Sequence, residues 1–276
     1  MDERIYLARA ALHMWEEPCI SGTKGSGAVF FSGCGLRCCF CQNHDIAIGS
    51  RGRAVSVERL GEIFLELKEK GAANINLVTG AHYVPQIIEA LDMARRNGLD
   101  IPVVYNSSGY EKTETLKLLE GYVDIYLPDL KCLDPELAQK FSYAPDYVQA
   151  AKAAIGEMVR QTGKCEFGED GYIRKGTIVR HLILPGHTGN SIKALRYLHE
   201  TYGEDIYISI MNQYTPVRKF VEFKELNRKV TKREYEKVLD AAVDMGIQNG
   251  FIQEGETASE SFIPDFDYEG VEKNTP

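Results

Sequence analysis

Short apolar runs alternate with helical stripes along most of the chain. The runs Ala28–Phe31, Ile75–Val78, Val103–Tyr105, Ile125–Leu127, Ile178–Leu184 and Ile206–Met211 are too short for helices and predict buried strands. Between them, Val84–Asn97, Thr113–Leu119, Tyr147–Thr162 and Ser191–Tyr202 carry helical periodicity. Val57 to Lys70 puts Leu60, Ile63, Phe64 and Leu67 on one face and stops at Gly71, which predicts an amphipathic helix with a glycine end. Thr231 to Met245 repeats the pattern through Tyr235, Val238, Leu239 and Ala242. Asp134-Pro135 marks a turn after the fourth strand. Strands that alternate with helices imply βαβ units and a parallel sheet, here of six strand–helix repeats.

That pattern yields one domain, residues 25–255, with an extension at 1–24 and a tail at 256–276. The extension is expected to pack on the domain with Trp15, the single tryptophan, as its anchor. The tail mixes acidic and apolar residues and is expected to drape over the body or gate a site. Active sites of parallel α/β folds form at the carboxyl ends of the strands. Polar residues gather there: Thr79-Gly80-Ala81-His82 after the second strand, Asn106-Ser107-Ser108-Gly109 after the third, Asp129 and Lys131 after the fourth. Pro185-Gly186-His187 and Asn212-Gln213-Tyr214 follow the fifth and sixth.

Composition narrows the class. With 276 residues, 44% hydrophobic and 26% charged, the chain has the makeup of a globular protein with a large core. A net charge of −8 disfavours a nucleic-acid partner, which needs a broad cationic face. No apolar run reaches the length of a membrane helix, and the N-terminus has no secretory h-region. Seven cysteines, three of them clustered, do not make a disulfide framework, and the expected location is the cytoplasm.

The cluster sharpens the chemistry. Cys34, Cys38 and Cys41 have the spacing C-x3-C-x2-C on one short loop directly after the first strand. An iron–sulfur cubane normally takes four cysteine thiolates, so three leave one iron open to another ligand. A structural zinc site normally closes with four protein ligands, usually as two pairs. Cys19, Cys132 and Cys165 lie apart and make no second pair, which favours the cluster over zinc.

This spacing, with Phe40 before the third cysteine, resembles the signature of the radical S-adenosylmethionine (radical SAM) superfamily. The resemblance implies a partial (β/α)6 TIM-like barrel, a [4Fe-4S] cluster on Cys34, Cys38 and Cys41, and SAM on the open iron. Tyr126-Leu127-Pro128-Asp129-Leu130-Lys131 and Arg180-His181-Leu182-Ile183-Leu184-Pro185-Gly186 look like segments of the activating-enzyme branch, typified by pyruvate formate-lyase activating enzyme. Trp15-Glu16-Glu17-Pro18-Cys19 and Phe40-Cys41-Gln42-Asn43 look still more like a subgroup named for its likeness to that activator. By that resemblance Phe40 sits near the adenine. Asp129 binds near the SAM carboxylate, directly or through a monovalent cation, and Lys131 offers a positive charge to a carboxylate or ribose oxygen. Arg180 pairs with the SAM carboxylate or with Asp129.

The departures concern the second and third loops. The family's Gly-Gly-Glu is here Thr79-Gly80-Ala81-His82, without an acid, so Thr79, Gly80 backbone or His82 is expected to meet the SAM ammonium. The activator's Asp-Thr-Asn-Gly is here Asn106-Ser107-Ser108-Gly109, one charge fewer. Gln213 and Tyr214 stand where a substrate would face, with a packed tyrosine the default reading of Tyr214. The implied activity is reductive cleavage of SAM and hydrogen abstraction, with the glycine Cα of a glycyl radical enzyme as the first target. Another peptide or a small metabolite is the alternative, and an iron–sulfur electron-transfer protein a remoter one. The implied reductant is a flavodoxin- or ferredoxin-type protein, under low oxygen.

Overall fold

The computed structural model describes residues 4–253 and 264–273. The strands are β1 (Ile5–His13), β2 (Ser26–Phe31), β3 (Arg53–Val55), β4 (Ile75–Val78), β5 (Val103–Ser107), β6 (Ile125–Pro128), β7 (Glu166–Phe167), β8 (Ile173–Leu182), β9 (Tyr207–Met211) and β10 (Gly250–Ile252). The helices are α1 (Pro18–Ser21), α2 (His44–Ala47), α3 (Val57–Glu69), α4 (Val84–Arg96), α5 (Thr113–Leu118), α6 (Pro135–Ser142), α7 (Tyr147–Thr162), α8 (Thr188–Tyr202) and α9 (Lys232–Asp244).

The strand order is β10-β9-β8-β6-β5-β4-β2-β1-β3, with neighbours parallel from β10 to β2. The six expected strands are therefore adjacent and parallel. Their ends do not meet, so the sheet is an open, partial barrel. Outward residues of β2, β4 and β5 bury against Leu60, Ile63, Phe64 and Leu67 of α3 and Ile87 and Leu91 of α4. Both helices show the apolar stripe that the sequence pattern predicts. Ser56 caps α3 by accepting from the Arg59 amide, and a reciprocal Thr231–Glu234 capping box starts α9.

Two local readings are corrected. Asp134-Pro135 opens α6 rather than merely turning the chain: the Asp134 carboxylate accepts from the Glu136 and Leu137 amides, and proline suits the first helical position. Trp15 is not an anchor, being 56% exposed. The segment is held instead by β1, which pairs antiparallel with β2, and by α1. Cys19 and Ile20 of α1 pack on Val104, Ile125, Leu127 and Ile178, which alternation points into the barrel. A short apolar helix thus plugs the barrel floor.

β3 covers only Ile5 to Leu7, leaving the rest of the outer edge of β1 unpaired by it. Residues 267–271 take that edge: the Ala10 amide donates to the Glu269 carbonyl and the Tyr268 amide to the Ala8 carbonyl. Arg9 pairs with Asp267 and Glu269, and Arg59 donates to the carbonyls of Gly270 and Val271. This strap brings Pro264 to the barrel mouth. The draped part of the tail is thus described, while 254–263 lie outside the described residues. Gly270 has φ +70°, and a Cβ there would overlap the Ala10 carbonyl. Gly270→Ala is therefore expected to unseat the strap: limited proteolysis should cut within 264–273 while far-UV circular dichroism keeps its amplitude. Unchanged protection of that segment would contradict the assigned tie.

Candidate functional site

A cavity of about 280 Å³ opens at the carboxyl ends of the strands. Cys34, Cys38 and Cys41 all line it, on a loop that is held from two sides. The amides of Gly33 and Cys34 donate to the carbonyls of Ile46 and Ala47, and the Cys39 amide donates to Phe141 at the end of α6. The Leu36 amide points at Cys34 Sγ, 3.4 Å away, and the Ser142 hydroxyl lies 3.1 Å from Cys38 Sγ. Burial pushes the Cys34 thiol up and the Cys41 thiol up to about 11, with Cys38 beside Cys41 adding to it. A metal centre must therefore displace their protons. Among the described residues no three His, Cys, Asp or Glu side chains close on a single metal ion. Three sulfurs set around a shared void, with hydrogen-bond donors aimed at two of them, suit an iron–sulfur cluster with one iron left open.

Below the loop lies a closed charge network. Arg180 on β8 donates through Nε to Asp129 (2.9 Å), through Nη1 to Glu16 (3.1 Å) and through Nη2 to Asn106 (2.7 Å). Lys131 Nζ donates to the other oxygen of Asp129 at 3.0 Å. The amides of Asn76 and Asn106 both donate to Glu16 Oε1 at 3.1 Å. Burial works against every charge here, yet the pairing wins. Arg180 is held above its ordinary value by Asp129, Glu16 and Glu17, and Lys131 by Asp129 and Cys38. Asp129 is held below the carboxylate range by Arg180 and Lys131. Glu17 is the unmatched acid: burial raises its pKa against the pull of Arg180, and its Oε2 has no partner.

The α7 tyrosine, Tyr147, fixes the frame. Its hydroxyl accepts from the Lys131 amide at 2.9 Å and lies within hydrogen-bond reach of the carbonyls of Ser108 and Asp129. Gly109 (φ +73°) lies so close to the Asp129 carbonyl that a Cβ would stand 2.5 Å from it. Thr79 sits in the left-handed region at φ 61°, a strained setting for a β-branched residue, and lines the cavity.

The structure therefore brings together Cys34, Cys38, Cys41, Phe40, Thr79, Asn106, Ser107, Asp129, Lys131, Arg180 and Gln213 on one cavity. Gln213 is tied to the cysteine loop through its carbonyl, which accepts from Gln42. Phe40 is mostly buried, edge-on to Phe141, so it serves core and cavity at once. Three expected residues stand elsewhere. Gly80 turns away from the cavity, where a Cβ would meet Ile87 and Phe31. His82 leaves the cavity wall for Gly33 and the edge of Tyr83. Tyr214 is buried and donates to the Leu226 carbonyl, a packing role. Asp129 has both oxygens engaged by cations of the protein, one by Lys131 and one by Arg180.

Glu16 is the residue that sequence reasoning missed. The second loop lacks an acid, and the N-terminal segment supplies one from the far side of the barrel. The signal was the pair Glu16-Glu17 beside Pro18, two acids next to an apolar plug.

Comparison with known proteins gives one family and a set of folds. The Radical SAM superfamily matches residues 28–198. The uncharacterized protein MJ0674 of Methanocaldococcus jannaschii is 28% identical over 86% of this chain and 67% of its own length. Streptococcus suis SuiB bound to its precursor peptide SuiA superimposes with a TM-score of 0.55 at 15% identity, covering 82% of this chain and 47% of SuiB. AdoMet-bound anSMEcpe gives 0.55 at 12% identity, covering 77% of this chain and 57% of that one. The chain thus spans about half the length of these two structures, and the likeness is one of fold.

Behind Ser107 lies a buried acid outside the network. Burial pushes Glu111 up from 4.5 to about 7, opposed by hydrogen bonding with the Ser107 side chain. A folded-state pKa above the unfolded one favours folding below about pH 4.5, and that stabilisation is lost as pH rises through 7. Glu111→Gln should therefore raise the unfolding free energy relative to the parent at pH 8, by on the order of 3 kcal/mol, and gain little at pH 5. Equal differences at the two pH values would contradict this.

Proposed function

The chain belongs to the radical SAM superfamily, and we propose that it abstracts hydrogen from a peptide or protein segment presented at the barrel mouth. Members of this family use a [4Fe-4S] cluster and SAM, so the chain is an enzyme with those cofactors. Together they supply reductive cleavage of the sulfonium and a carbon radical able to take hydrogen from a C–H bond. The observation that carries the reading is the single cavity shared by Cys34, Cys38 and Cys41 with Asp129, Lys131 and Arg180.

The protein's own groups do the positioning. Cys34, Cys38 and Cys41 hold three irons, and Phe40 borders the adenine. Lys131 presents a fixed ammonium to the SAM carboxylate. Arg180 uses Nε, Nη1 and Nη2 on protein partners, so its role is to hold Asp129 and Glu16 rather than to clamp SAM. Thr79 and Ser107 offer hydroxyls, and Gln213 faces the target. The plug formed by Cys19 and Ile20 closes the floor, so the target enters from the mouth.

Two cavity-lining residues, Trp15 and Ile48, are 56% and 46% exposed. An open rim suits a segment of a larger partner, as in SuiB with its precursor peptide. A glycine Cα of a glycyl radical enzyme is the first candidate. Residues 25–255 carry the chemistry, a flavodoxin- or ferredoxin-type protein supplies electrons, and the cytoplasm is the setting.

After anaerobic reconstitution, SAM and dithionite should yield 5′-deoxyadenosine. Cys38→Ala should bind markedly less iron and yield none; full turnover by that variant would refute the ligand assignment. With extract from cells grown on deuterated medium, deuterium should enter 5′-deoxyadenosine only when the macromolecular fraction is added. Deuterium arriving from the small-molecule filtrate instead would make a metabolite the substrate.

A further inference from the structure

We propose that Ser142 tunes the reduction potential of the cluster by donating a hydrogen bond to the sulfur of Cys38. The inference rests on the cluster reading above. Ser142 Oγ lies 3.1 Å from Cys38 Sγ, and both residues are buried, at 4% and 8% exposure. As a free thiol Cys38 can donate or accept in this pair. As an iron ligand it carries no proton, so the hydroxyl must be the donor.

The contact is built into the backbone. Ser142 is the last residue of α6, and the turn that carries it is fastened to the cysteine loop on both sides of Cys38. The Cys39 amide donates to the Phe141 carbonyl at 2.7 Å, and the Arg37 amide donates to the Ser142 carbonyl at 3.4 Å. Tyr143 follows in the left-handed conformation and ends the helix there. The main chain therefore holds the Ser142 backbone beside Cys38, and the hydroxyl lies on the Cys38 sulfur.

A hydrogen bond to a thiolate ligand stabilises negative charge on the sulfur. Reduction adds one electron to the cluster, so the reduced form gains more from the bond, and the potential rises. Burial of both residues strengthens the effect, because a lower local dielectric strengthens the hydrogen bond. Lys131 acts in the same direction as a nearby fixed positive charge, but its ammonium is bonded to Asp129. Ser142 is the hydroxyl that touches the ligand itself.

The test compares midpoint potentials of reconstituted protein by EPR-monitored redox titration without SAM, alongside iron and sulfide content. Ser142→Ala should load fully and titrate at a more negative potential, with a reduction equilibrium about fivefold less favourable. Ser142→Thr, which keeps the hydroxyl, should titrate with the parent. Should Ala disturb the α6 turn, the near-isosteric pair Ser142→Thr and Ser142→Val decides, with Val alone shifted. Loaded variants with and without the hydroxyl that titrate together would overturn the proposal. A parent protein without iron and sulfide would instead remove the cluster reading on which it rests.

Discussion

The Arg180 guanidinium is the constraint on which the interior depends. One side chain on β8 bonds to Asp129 on the segment after β6, to Asn106 on β5 and to Glu16 on the N-terminal segment. A parallel barrel that stays open has no closing strand pair to fix its width. Here a planar cation with several rigid donors ties strands across the interior, a task that a lysine point charge performs poorly. The cost of burying it is offset because Glu16 and Asp129 are matched in number by Arg180 and Lys131. Removing one partner would leave an uncompensated buried charge, so the network stands or falls as a unit.

Two chain ends complete what the parallel strands leave unfinished. The segment after β1 plugs the floor with Cys19 and Ile20 and places Glu16 in the charge network. The strap at 264–273 covers the free edge of β1 and places Pro264 at the mouth. Among the described residues the cavity is therefore closed below and open above. That polarity sets the cysteine loop at the rim, above the charged interior. The α6 turn extends the same logic, since its main chain holds the loop and its serine reaches Cys38.

Much of the fold was legible because its signals are local. Buried strands such as Ile75–Val78 read as continuous apolar runs, and α7 is found at Tyr147–Thr162, as its stripe predicts. β1 was less legible: its alternation at Ile5 and Leu7 is weak beside the polar start of the chain, and its strand state comes from pairing with β2. Among site residues, those at strand ends followed the general rule for parallel folds. His82 and Tyr214 sit at such ends too, but adjacent side chains point to opposite sides, and a local turn decided which side each took. Glu16 lies 164 positions from Arg180, beyond the reach of any periodicity.

The sequence by itself determined the metal chemistry and the parallel architecture, because cysteine spacing on one loop and strand–helix alternation are properties of short stretches of chain. Only the tertiary structure decided which acid enters the interior, that Arg180 is consumed by protein partners, and that a serine of α6 touches Cys38. These depend on distances between residues remote in sequence, which are set by how the helices and the two chain ends pack on the sheet.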